Sequence, residues 1–240
     1  MNYIDLSYEK LSDKLSVCVS NEHRFGIDAF LLAYFSKARR KDAVCDYCSG
    51  NGIVALLVEK FFEPKKLYAV EIQDKAYYQL KRSKEISCLN KLETFHGDIK
   101  SFKPDKELDL ITCNPPYKIS GTGILSEGNA DRIARHETLC TIDDVCISAA
   151  KNLRFGGRLC VTNRPERLCD VLCAMRSNGI EPKRIRFVSK LKGGVPWLIL
   201  VEGKKGARPF MTVEENLFVY NDNGEYSDEI SGIYGINKEV

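Results

Sequence analysis

No apolar run in this sequence approaches the ~20 residues of a membrane span. Its first residues, Met-Asn-Tyr-Ile-Asp-Leu, also lack the pattern of a secretory signal. Both absences lead to the expectation of a cytoplasmic protein. Histidine is scarce, with three in the chain (His23, His96 and His136), and no second cysteine pair follows Cys45-Asp46-Tyr47-Cys48 at zinc-ribbon distance. No metal site is therefore expected. The ten cysteines are scattered, many in apolar runs, where a reduced thiol acts as a small hydrophobe. Internal repeats and a second domain are also lacking. What is there, 44% hydrophobic and 29% charged residues, is the composition of a globular chain large enough to bury a core.

The net charge is only +3, but it is unevenly spread. Residues 151–210 hold 14 Lys and Arg against 4 Asp and Glu, whereas residues 211–240 hold 1 basic residue against 7 acidic ones. A basic block, with Lys190 and Lys192 in its last loop, suggests a phosphate backbone as partner. A solvated charged surface is the alternative.

Residues 43–72 read as a strand–helix–strand unit. A buried strand (43–46) runs into Tyr47-Cys48-Ser49-Gly50-Asn51-Gly52, a helix follows from Ile53, and a second strand (67–70) ends in Glu71. Gly50 and Gly52 let the backbone turn tightly and let a ligand approach the helix start. An acid about 20 residues beyond such a turn can bind the two hydroxyls of a ribose. The Gly-Lys-Ser/Thr ending of a P-loop is absent, and no Lys or Arg stands in residues 42–59 to favour a pyrophosphate. Asp46, just before the glycines, argues for a cationic ligand. S-adenosylmethionine, an adenosine with a zwitterionic sulfonium tail, fits these signs.

Further on, a helix begins at Asp74, and a third strand (92–96) leads to Gly97-Asp98-Ile99. Asp98 can accept from an adenine amino group while Ile99 packs on the ring; a turn aspartate is the alternative. A fourth strand runs into Asn114-Pro115-Pro116-Tyr117. Proline stops the strand and holds Asn114 out of the helical region. The amide of Asn114 and the Pro115 carbonyl are acceptors, and Tyr117 is a stacking platform, a set suited to a planar group bearing an NH2. Asp46 with the glycines, Glu71, Asp98 and Asn114 thus stand at four successive strand ends, where ligands of open parallel sheets bind. Upstream, Asp28 sits where a helix N-cap belongs, or could face a ligand's ammonium group. Residues 118–137 read as a long flexible segment, in which Arg132 and Arg135 are candidate phosphate contacts and His136 a contact or a packed side chain. An antiparallel pair (180–188 and 195–201) closes the sheet, and the acidic tail from about 211 packs locally or stays mobile.

With these segments quoted, RFGIDAFLLAYF (24–35), DYCSGNGIVALL (46–57), VEIQ (70–73), GDI (97–99), NPPY (114–117) and RIARHE (132–137), the chain resembles a family. It is similar to class I S-adenosylmethionine-dependent NPPY methyltransferases, specifically the tRNA1(Val) adenine-37-N6 methyltransferases, over residues 14–205. The resemblance implies a doubly wound, Rossmann-like, mostly parallel sheet at 28–205, flanked by an N-terminal extension (1–27) and an acidic tail (206–240). It implies S-adenosylmethionine as cofactor, with Asp46, Gly50, Asn51 and Gly52 at the methionine part and Glu71 with Ile72 at the ribose. Asp98 and Ile99 would hold the adenine, and Asp28 and Asn114 also belong to the cofactor set. Asn114, Pro115 and Tyr117 would clamp the target base, and tRNA would be the partner, met by Arg132, Arg135, His136, Lys190 and Lys192. A protein-glutamine N5, ribosomal guanine-N2 or DNA adenine methyltransferase, and a non-catalytic RNA-binding module, are the alternatives.

Overall fold

The computed structural model of the chain describes residues 6–21, 24–115 and 140–235. Alternation of short apolar runs with amphipathic segments gives a three-layer arrangement. The strands are β3 (Ala43–Tyr47), β4 (Lys66–Glu71), β5 (Leu92–His96) and β6 (Leu108–Cys113), then β7 (Leu153–Asn163), β8 (Ile180–Ser189) and β9 (Pro196–Lys205). Helices α1 (Ile27–Phe35), α2 (Ile53–Phe62) and α3 (Asp74–Ile86) precede or join the early strands, and α4 (Ile142–Asn152) and α5 (Leu168–Ser177) flank β7. Two apolar clusters, one on each sheet face, bury Leu31, Leu56 and Leu67 on one side and Tyr47, Ile111 and Val161 on the other.

The strands β5, β4, β3, β6 and β7 run parallel in that spatial order. The sheet is then closed by antiparallel pairing of β9 with β7 and of β8 with β9. This is the Rossmann-like layout expected from the sequence, hairpin included. The order reverses at β3, whose neighbours are β4 and β6, so the crevice of the sheet opens beyond its carboxyl end. Register aligns the strand ends there: Tyr47 is level with Val70 and Cys113, Cys113 with Val161, and Glu71 with His96. Because β8 ends and β9 begins at this same edge, the β8–β9 turn carrying Lys190 and Lys192 stands on the side of the sheet where Asn114 emerges.

Two segments are more ordered than their sequence suggests. β1 (Ser7–Lys10), exposed throughout, is held by antiparallel pairing to β2 (Ser16–Val19). The acidic segment adds short strands β10 (Thr212–Val213) and β11 (Leu217–Phe218) beside β8, then helix α6 (Asp228–Tyr234), whose Tyr234 ring lies 4.5 Å from Phe30 of α1. Its acids explain part of the basic block. Arg186 pairs with Glu229, and Arg184 donates to Glu214 (3.0 Å), to Glu202 (3.1 Å) and to the Phe35 carbonyl (2.6 Å) while lying over the Phe35 ring. Arg158 pairs with Asp42 and Glu202, Arg154 with Asp109, and Arg176 with Glu181. Much of the 151–210 charge is therefore internal counter-charge and not a free phosphate-binding face. Charge counting along a sequence cannot see such pairing. No helix among the described residues is long and apolar enough to cross a membrane.

Removing one member of a buried ion-pair network strands the other charges. Arg184→Ala is expected to lower stability by about 3 kcal/mol in urea unfolding. It should also expose the 206–216 segment to limited proteolysis. Arg184→Lys, lacking the planar fork, should recover only part of the loss. Unchanged stability in the alanine variant would contradict the pairing.

Candidate functional site

A cleft enclosing about 690 Å³, part of it open to solvent, lies at the carboxyl edge of the parallel strands. Its walls include Gly50, Glu71, Ile72, Asp98, Ile99 and Asn114, so six of the residues singled out from the sequence are brought together. Cys48, Val70, Gln73, Gly97 and Cys140 are the other described residues of the lining. Gln73 and Gly97 stand beside the acids already chosen and could have been found by adjacency. Cys140 has no local signal; only the docking of α4 brings it there.

The β3–α2 turn is built by acceptors below it. Glu71, 2% exposed, accepts from the Gly50 backbone N–H (2.7 Å) on one oxygen and from Gln73 N–H (2.8 Å) on the other. A carboxylate has more than two acceptor positions, so Glu71 can fix the turn and also line the cleft. Gly52 caps α2 with φ +89, and a Cβ there would meet Leu80 at 2.6 Å; both the left-handed backbone and the close approach of α3 require glycine.

Asp46 does not line the cleft. It is 1% exposed and accepts from the hydroxyls of Ser49 (2.6 Å) and Thr112 (2.8 Å), tying the turn to β6. Asn51 also points away. Its amide donates to the Cys18 carbonyl (3.2 Å) and accepts from Ile53 N–H, while Ser83 of α3 donates to Asn51 O and accepts from Cys18 N–H (2.8 Å). The β1–β2 hairpin is thereby sewn to the back of the turn. Asp98 accepts from Lys100 N–H (2.9 Å) and so also serves its turn.

Asp28 is not an N-cap. Gly26 occupies that position, and Asp28 lies inside the first turn of α1, where its Oδ2 accepts from Asn114 Nδ2 at 3.0 Å. On the other side of the same amide, Thr162 Oγ1 donates to Asn114 Oδ1 at 2.6 Å. Thr162, at the end of β7, is a functional-edge residue that the sequence did not reveal. Cys48, with φ +52, has its Sγ 3.8 Å from that of Cys140, and their mutual hydrogen bonding, with burial, holds the Cys140 thiol well above its ordinary pKa. This suits a packed thiol and not a thiolate nucleophile. Pro115 is buried at the end of β6. Pro116, Tyr117, Arg132, Arg135 and His136 lie outside the described residues.

No Lys or Arg appears among the described residues lining the cleft. Two carboxylates, a glycine turn, and apolar Ile72 and Ile99 fit the hydroxyls, exocyclic amine and flat ring of an adenosine better than a pyrophosphate.

Comparison with known proteins follows the same line. Residues 26–175 match the family model of the methyltransferase small domain. A tRNA1(Val) (adenine(37)-N6)-methyltransferase of Histophilus somni is 26% identical over 216 residues, covering 86% of each chain. The protein of that name from Parabacteroides distasonis is 23% identical over 214 residues, covering 88% of each. Among solved structures, a predicted O-methyltransferase from Agrobacterium tumefaciens has a TM-score of 0.70 at 18% identity, covering 87% of this chain and 95% of its own. The Thermus thermophilus 16S rRNA N2 G1207 methyltransferase in complex with AdoMet and guanosine has a TM-score of 0.58 at 16% identity, covering 83% of this chain and 50% of its own.

Burial raises the pKa of Asp46 from 3.8 to about 7, despite the two hydroxyls that favour its charged form. Between those values the folded chain holds a proton that the unfolded chain has released. The group's contribution to stability therefore grows as pH falls through 7 and levels off below about 4. Thermal unfolding from pH 5 to 8 should show a steeper decline in Tm with rising pH for the wild type than for Asp46→Asn. Parallel curves would rule out a proton at Asp46.

Proposed function

The chain belongs to the methyltransferase small domain family and is an S-adenosylmethionine-dependent methyltransferase; on that premise we propose that it methylates the N6 amino group of an adenine in tRNA, with position 37 of a valine tRNA as the target. The observation that carries the reading is that Asn114 lines the same cleft as Glu71 and Asp98. An amide acceptor thus stands beside the groups that suit the cofactor's nucleoside. Relatives bearing that activity in their names align along most of both chains.

When bound, S-adenosylmethionine supplies a methyl group activated by its positive sulfur. Glu71 would accept from the ribose hydroxyls, Asp98 from the adenine amine, and Ile72 and Ile99 would cover the ring. The target adenine nitrogen is a poor nucleophile because its lone pair is delocalised into the ring. Asn114 Oδ1 and the Pro115 carbonyl hold its protons, favour a tetrahedral nitrogen and aim the lone pair. The bound sulfonium would supply the methyl and be left as a neutral thioether, while the nitrogen held by Asn114 and Pro115 would give up one proton to solvent. This is catalysis by positioning and electrostatic stabilisation. Tyr117 stacks on the base, which leaves an unpaired loop more easily than a duplex.

With much of the basic block paired internally, the partner argument rests on Lys190 and Lys192, exposed on the β8–β9 turn at the functional edge. Arg132, Arg135 and His136 are further candidate contacts. The same pairing removes a reason for rejecting a protein glutamine, whose carboxamide offers an equivalent NH2, so the acceptor must be tested directly.

Mass spectrometry of digested tRNA and rRNA from cells with and without the protein should show loss of N6-methyladenosine from one tRNA; unchanged RNA with a lost methylglutamine would overturn the reading. Asn114→Ala should slow methyl transfer by roughly 10²-fold with cofactor affinity retained. Replacing both Lys190 and Lys192 by Gln should weaken tRNA binding and flatten its log–log salt dependence by roughly 1.5. An unchanged slope would remove these lysines from the interface.

A further inference from the structure

Asn114 can serve as an acceptor only if its oxygen, and not its NH2, faces the target. Nothing in an isolated Asn-Pro-Pro turn decides this, because the two ends of a carboxamide have nearly the same shape. Here the choice is made by residues from two other elements. An ionised carboxylate can only accept, so the Asp28 contact at 3.0 Å requires the NH2 of Asn114 on that side. The oxygen is thereby turned to the opposite side, where the Thr162 hydroxyl, fully buried, donates to it at 2.6 Å.

We infer that Asp28 and Thr162 are positioning residues that lock the Asn114 carboxamide in the one orientation able to accept from the methyl acceptor. The inference rests on the proposed role of Asn114 and assigns Asp28 to that amide instead of to the cofactor. An amide oxygen has two acceptor positions, so a bond from Thr162 is compatible with a second from the target NH2. Asp28 does more than aim the group. A carboxylate hydrogen-bonded to the NH2 end draws positive charge there and enriches the oxygen, and such polarisation along a hydrogen-bonded chain strengthens the next acceptor bond. The enrichment matters most when the attacking nitrogen becomes cationic, so it favours the transition state over the ground state.

The surroundings are arranged to keep the carboxylate in place. Residue 26 is glycine, and a Cβ built there would stand 2.7 Å from Asp28 Oδ1. Helix α1 is in turn braced by α6 through the Phe30–Tyr234 contact. Thr162 is fixed by its place in the ladder, where it faces Leu200 of β9.

The test separates rate from affinity. Methyl transfer from labelled S-adenosylmethionine is measured on total RNA and total protein from cells lacking the enzyme, and cofactor affinity by calorimetry. Asp28→Ala should lower the rate at saturating cofactor by roughly 10- to 100-fold, with the cofactor Kd within about threefold of wild type. Asp28→Asn, which can still offer an amide oxygen, should lose less. Thr162→Val should lower the same rate by about tenfold, and Thr162→Ser, which keeps the hydroxyl, should restore it to within about threefold. Thermal unfolding identifies any variant that fails to fold, in which case the Asn and Ser variants carry the comparison. A raised cofactor Kd with an unchanged saturated rate in Asp28→Ala would return Asp28 to the cofactor site and overturn the inference. Equal rates for Thr162→Val and Thr162→Ser would also overturn it. Label appearing in protein glutamine instead of tRNA adenine would refute the substrate reading alone, since the variant ratios would still report on the amide.

Discussion

The structure depends on how polar groups at the carboxyl edge of a parallel sheet are satisfied. Where strands stop, backbone N–H and C=O groups lose their ladder partners but remain half buried, and each must find another. Other backbone groups meet part of this need, and acidic side chains meet another part while also taking side-chain donors. Glu71 takes two N–H groups from two turns, Asp46 two hydroxyls, Asp98 the N–H of Lys100, and Asp28 the Asn114 amide. The acids are thus the framework that gives the glycine turn and the Asn114 turn fixed shapes. Glu71 and Asp98 also line the cleft, while burial of Asp46 raises its pKa well above that of an ordinary carboxylate.

A second balance runs between the two ends of the charge distribution. The basic strands β7, β8 and β9 and the acidic segment after residue 206 neutralise each other through Arg184 and Arg186 with Glu214 and Glu229. Lys190 and Lys192, which project beyond the strands at the β8–β9 turn, are exposed at the edge that matters. The sequence asymmetry therefore reports mainly on intramolecular docking of the acidic segment and only secondarily on a partner.

The central fold is readable in the sequence because β3, β4 and β6 are short apolar runs that end at a glycine turn, at Glu71 and at Asn114, and the helices repeat at their own period. The register of a parallel sheet then brings those endings to one level, which is why Glu71, Asp98 and Asn114 can be grouped without coordinates. Contacts between elements distant in sequence are what remains hidden. Asp28 looks like a helix cap because caps are the commoner use of an acid at a helix start, yet Gly26 takes that place. Asn51 lies in the glycine turn but faces the β1–β2 hairpin. Thr162 is an ordinary strand residue until β7 is laid beside β6. Strand β1, exposed and without alternation, forms only because β2 offers it an edge.

The contact between Phe30 and Tyr234 has a consequence for biosynthesis. Helix α1 is translated well before α6, the helix whose aromatic face braces it. The nascent polypeptide can assemble the nucleoside-binding half of the sheet early, while Asp28 waits for its support until residues 228–234 have emerged. A chain cut before residue 228 would lack the ring that packs on Phe30 and would hold the Asn114 partner on an unbraced helix.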